Sequence, residues 1–140
     1  MTDILINNCK VVPAVVPSAG AAAALTPVEV DGTGFSRAMF IIDTGAAAAG
    51  AKLNAKIQKS ATSSGALADI TGAALTEVLA ATGASKSYVI DVAIDAAKPF
   101  MKITGAVTVD TFANGAVCVL YNGTGWRPVS APATEVVKTQ

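Results

Sequence analysis

Polar and apolar residues alternate along much of this chain with a period of two, the pattern of a strand with one buried face. In SYVIDVAID, residues 87–95, Tyr88, Ile90, Val92 and Ile94 fall on one side and Ser87, Asp91 and Asp95 on the other. KLNAKIQ, residues 52–58, sets Leu53, Ala55 and Ile57 against Lys52, Asn54, Lys56 and Gln58. RAMFIID (37–43) is apolar on both sides and predicts a strand buried on both faces. PFMKI (99–103) and AVTVD (106–110) predict two further short strands, and GAVCVLYNG (115–123) a central one. Turn residues punctuate these runs at DGTG (31–34), TSSG (62–65), ATGAS (81–85), DAAKP (95–99) and FANG (112–115). Many short strands with such punctuation predict an all-β chain, a single β-sandwich or jelly-roll domain over 1–140.

Two stretches compete with that reading. GAAAAGAKLNAKIQ also places Leu53 and Ile57 four apart, as a helix would, but alternation through seven positions favours a strand. TGAALTEVLAAT spaces Leu75, Val78 and Leu79 helically, which leaves residues 73–82 open between loop and short helix.

The two ends carry five of the six prolines: Pro13, Pro17 and Pro27 in residues 11–30, and Pro128 and Pro132 in residues 126–140. Proline fixes φ and removes a donor, so both stretches should run extended. They are too apolar for solvated tails. The expectation is an N-terminal extended segment (1–30) and a C-terminal arm (126–140) lying on neighbouring subunits. Val15, Val16, Val28, Val30, Trp126, Val136 and Val137 are the candidate contact residues.

Composition narrows the chemistry. Hydrophobic residues make up 52% of the chain but aromatics only 5%, so alanine inflates the first figure and the core must rest on scattered larger side chains. Charge is 14% and balances to zero, and Lys and Arg form no stripe, which argues against nucleic acid. No long uninterrupted apolar run predicts a membrane span, and the start MTDILINNCK does not read as a secretory leader. Cys9 and Cys118 read as free thiols in a reducing compartment.

The absence of histidine removes the usual general base and the commonest transition-metal ligand. Asp91 and Asp95, four apart on a strand, have backbones about 13 Å from each other, beyond the roughly 5 to 9.5 Å of glycosidase carboxyl pairs. They read as solvated charges. No EF-hand loop, phosphate-binding glycine motif or CxxC occurs. Asn122-Gly123-Thr124 matches an N-glycosylation pattern but reads as a turn. Tyr121 and Trp126 beside it are a thin basis for a sugar-stacking platform. The expectation is a non-enzymatic chain with no cofactor and no metal.

Several short motifs carry a family likeness. A proline-containing entry segment (NNCKVVPAVVPSAG) is followed by a K-x-Q-x-S strand at Lys56 to Ser60 and a D-I-T-G turn at Asp69 to Gly72. A V-I-D-V strand then runs from Val89 to Val92 and leads through a turn to Lys98 to Ile103. In this order they resemble the small capsid decoration, or cement, proteins of tailed bacteriophages, over residues 7 to 121. The family's basic turn is reduced here to Lys98.

The resemblance implies a virion protein assembled in the host cytoplasm and placed on the outside of an icosahedral shell. It would bridge neighbouring major capsid protein subunits, pair with copies of itself and stabilise the head, with no nucleic acid or membrane partner. The alternatives are another phage structural part, such as a head-completion or fibre domain, and a carbohydrate-binding β-sandwich.

Overall fold

The computed structural model describes residues 9–123, so the C-terminal arm and its Trp126, Val136 and Val137 lie outside the described residues. The described chain is nearly all strand: β1 (Lys10–Ser18), β2 (Val30–Asp31), β3 (Phe35–Ala47), β4 (Lys52–Ser60), β5 (Ala68–Ala74), β6 (Val78–Leu79), β7 (Ser87–Ala93), β8 (Phe100–Thr108) and β9 (Phe112–Gly123). A single helical turn, α1 (Ala80–Gly83), follows β6.

The strands form two antiparallel sheets, ordered β1-β9-β3-β7 and β2-β8-β4-β5, with β6 beside β4. The first strand pairs the last, β2 pairs β8, β3 pairs β7 and β4 pairs β5. That nesting is jelly-roll connectivity, and the chain is an all-β sandwich as its alternation predicts.

Alternation decides which side chains meet between the sheets. Ala38, Phe40 and Ile42 of β3, Cys118 and Leu120 of β9, and Ile90 and Val92 of β7 face Leu53 and Ile57 of β4 and Met101 and Ile103 of β8; all are buried. Tyr88 and Ile94 pack against this core half-buried, while Asp91 is exposed, so the predicted register of β7 holds. A one-residue slip would exchange the faces and bury Asp91.

Several expectations need correction. RAMFIID is not buried on both faces, because Met39 and Ile41 lie half-buried on the outer surface of their sheet. PFMKI and AVTVD form one strand, β8, whose Gly105 lies against the Asn54 carbonyl of β4; a Cβ there would overlap that oxygen. FANG belongs to β9, and the turn comes earlier, at Val109 and Asp110. Residues 73–82 are neither one loop nor one helix: they hold the end of β5, all of β6 and the start of α1.

The largest correction concerns residues 11–30. They are extended, as their prolines require, but they belong to their own sandwich. β1 pairs with β9 from Lys10↔Leu120 to Ser18↔Asn114. The following residues strap one side of the sandwich shut. Leu25 N–H donates to Gly105 O at 3.0 Å and Val107 N–H to Ala23 O at 2.9 Å. On the other sheet, Val16 N–H donates to Thr26 O at 3.1 Å and Val28 N–H to Ala14 O at 2.9 Å. The outer edge of β1, and that of β8 beyond the short β2, are thus covered by the chain itself.

Candidate functional site: the outer face of the four-stranded sheet

Each sheet has one face inward and one outward, and the two outward faces differ in chemistry. On the five-stranded sheet, β4 and β8 present Lys52, Asn54, Lys56, Gln58, Lys102 and Thr104. Lys52 pairs with Glu77 at 3.0 Å, Lys56 with Asp69 at 2.9 Å and Lys102 with Glu29 at 3.5 Å. Gln58 donates to Asp69 at 2.6 Å and accepts from Thr104 at 2.8 Å. This is an ordinary solvated surface.

The four-stranded sheet is different. Its cross-strand register lines up two apolar rows on the outside. One runs Pro13–Val117–Ile41–Val89 across β1, β9, β3 and β7. The next runs Val11–Val119–Met39 and ends on Asp91. Val11, Val89 and Val117 are 42%, 56% and 38% exposed, values that place branched aliphatics in water on three of four neighbouring strands. Isolated exposed aliphatics are common on proteins, whereas a contiguous set across neighbouring strands is the kind of surface that protein contacts bury.

Polar groups frame the rows at both ends. At the end where the described chain starts and finishes, Arg37 pairs with Asp91 at 2.6 Å, and the Tyr121 hydroxyl donates to the same carboxylate oxygen at 2.7 Å. Burial pushes the Asp91 carboxyl up, but the hydrogen bonds from Arg37 and Tyr121 and the Arg37 charge outweigh it, so its pKa lies below the usual value. At the far end Asp43 accepts from the Ser87 hydroxyl. There a depression of about 470 Å³ opens among Pro13, Pro17, Asp43, Gly45, Asn114 and Val117, with mostly apolar walls.

A bulged part of β1 borders that depression. The β1–β9 register shifts between Pro13 and Val15 and again before Ser18, so Ala14 and Val15 are consecutive buried residues. Simple alternation from Val11 and Pro13 would turn Val15 outward. The bulge turns it in, to 2% exposure. Of the candidate contact residues, therefore, Val15 and Val30 are core, Val28 is half-buried, and Val16 alone of these four stands out, at 47% exposure.

The residues of the apolar face were not among the candidates. Their signal was present in RAMFIID and GAVCVLYNG, whose apolar character on both faces exceeds what one interior needs.

The other candidate chemistry does not assemble. Asp91 and Asp95 do not share a surface: Asp95 lies past the end of β7, bonded to Lys59 at 3.0 Å and to the Ala97 N–H at 3.0 Å. Cys9 and Cys118 are free and buried, and burial pushes the Cys118 thiol up to about 12, far from a reactive thiolate. Among the described residues no group of three acidic or cysteine side chains converges as a metal site. Tyr121 is tied to Asp91 and Arg37 rather than offered as a stacking platform. No protein-family model, curated protein or solved structure matches the chain.

Proposed function

We propose that this chain is a non-enzymatic structural protein that docks on other protein through the outer face of its four-stranded sheet, and that it serves as a decoration protein on the head of a tailed phage. The observation that carries the docking is the pair of apolar rows, one across β1, β9, β3 and β7 and the other across β1, β9 and β3, set opposite an ion-paired face of the same small domain. Burying such rows against protein contributes about 25 cal/mol per Å² of apolar area, less the cost of association. Repetition over a shell lowers the affinity each copy needs.

The decoration role is supported by the order of the family-like motifs and by the jelly-roll connectivity. In this reading the chain sits outside the shell, bridges neighbouring major capsid subunits and pairs with its own copies.

The test is to mix full-length chain with undecorated heads and image them by electron microscopy, alongside a variant carrying Ile41→Lys and Val117→Lys. Wild-type chain should occupy the outer shell with this face toward protein, and the variant should be lost on sedimentation. Heads that bind neither, or bound chain with the face toward solvent, would overturn the reading.

A further inference from the structure

The sandwich has two open sides, and the chain treats them differently. On one, residues 23–28 bond to the edges of both β1 and β8. On the other, β7 ends the four-stranded sheet, and among the described residues no strand pairs with its outer edge. The backbone bonds at the two limits of β7 fix which of its groups point outward. Ile94 N–H donates to Ser36 O at 2.9 Å, and Thr44 N–H donates to Lys86 O at 2.8 Å. In an antiparallel ladder the direction alternates, so Lys86, Tyr88, Ile90, Val92 and Ile94 turn their peptide groups to β3. Ser87, Val89, Asp91 and Ala93 turn theirs to the open side, and all four are exposed.

This edge lacks the usual protection. β7 contains no proline and no lysine, its one charge, Asp91, is paired with Arg37, its register with β3 runs unbroken from Arg37↔Ala93 to Asp43↔Ser87, and Val89 at its centre is 56% exposed. Beside it, Tyr88 and Ile94 of the core stay half-buried, as does Ile70 on β5.

We infer that the free edge of β7 is a strand-addition site that takes an extended segment of a partner protein. The chemistry selects that occupant. Water bonds such groups singly, but a row of outward N–H and C=O groups at strand spacing is matched in register by another extended backbone. Alternate side chains of the added strand would cover Val89 on the outer face and Tyr88 on the inner one. The inference rests on the protein-docking part of the reading above but not on the phage shell, and it extends the apolar face by one strand.

Amide hydrogen exchange on the full-length chain tests it. In the free, dilute protein the Val89 and Asp91 amides should exchange at least about 100-fold faster than those of Ile90 and Val92, because only the latter are bonded to β3. A nine-residue peptide of alternating valine and threonine with lysine caps, at millimolar concentration, should slow Val89 and Asp91. The same peptide N-methylated at alternate residues should not. Val89→Pro removes one outward donor without touching the β3 ladder and should abolish the slowing, whereas Val89→Thr should retain it. The Ile41→Lys, Val117→Lys variant should also retain it, which separates failure of the edge from failure of the face.

Slow exchange of Val89 and Asp91 in the dilute free chain would show the edge already filled by residues 124–140. Protection that grows with protein concentration would show a second copy there. Either result, or a peptide that leaves both amides unchanged, overturns the inference.

Discussion

The two outward faces of the sandwich are both built on alternating strands, yet they are opposites. On β4, every second residue is Lys, Asn, Lys or Gln, and Asp69 of β5 and Glu77 just before β6 supply acids to match. On β3, the corresponding positions are Arg37, Met39, Ile41 and Asp43, with apolar residues in the middle and charges at the ends. The inward faces are equally apolar. What separates the sheets is therefore not folding, which needs only one apolar face from each, but the use of the second face. Aliphatics on an outer face add little to the stability of an isolated domain, and the run of them here is the surface that the proposed docking would bury.

Adjacent residues on β3 give the sharpest contrast. Phe40 is fully buried and Ile41 points out. Phe40→Ala should cost about 3–5 kcal/mol in denaturant unfolding, through lost transfer energy and the cavity left behind. Ile41→Ala should cost less than about 1 kcal/mol. Comparable losses at the two positions would mean that the outer face is already covered within the chain.

Binding should reverse that order. Ile41→Lys with Val117→Lys should weaken retention on the partner about 100-fold, because the charges must be desolvated against an apolar surface, while the melting temperature changes little. The wild-type contact should also survive molar salt, which screens ion pairs but not apolar burial. Loss of binding in salt would transfer the docking role to the charged face.

Acid should act on the charged groups and spare the apolar rows. The Lys56 and Gln58 hydrogen bonds hold the Asp69 carboxyl below its ordinary 3.8, and the Lys59 bond does the same for Asp95. Asp91 is also lowered, by Arg37 and Tyr121 against its burial. A lowered carboxyl stabilises the fold above its unfolded pKa, and that contribution fades as pH falls through the folded value. Melting temperature should therefore hold steady from neutral pH down to about 5 and drop only below about 4. A loss centred near pH 6 would require a titrating group outside these carboxylates.

The smallest effect belongs to the charged face itself. Lys56→Ala breaks an exposed pair, and exposed pairs contribute about 1 kcal/mol or less. Its unfolding midpoint should barely move, and binding should not change.

Much of this was legible in the chain. The strand identity and inward face of β4 and β7, and the outward placement of Asp91, follow from alternation, since a period of two has only two solutions and one of them buries charge. Absence of histidine bounded the chemistry in the same direct way. What alternation could not settle was any segment apolar on both sides. RAMFIID and GAVCVLYNG are compatible with burial on both faces, and only the two-layer packing shows that one face of each is a surface.

Residues 11–30 mark the other limit. Their prolines determine an extended path, because φ is fixed and donors are missing, but not what that path lies against. The pairing of β1 with β9, more than a hundred residues away for Lys10 and Leu120, settled that, and a bulge at Ala14 and Val15 turned a valine expected at a contact into a core residue. Local pattern determines conformation and amphipathicity, which depend on near neighbours. Which face meets the second sheet, which edge stays open and where a bulge reverses the alternation depend on partners distant in sequence, and only the tertiary structure decided them.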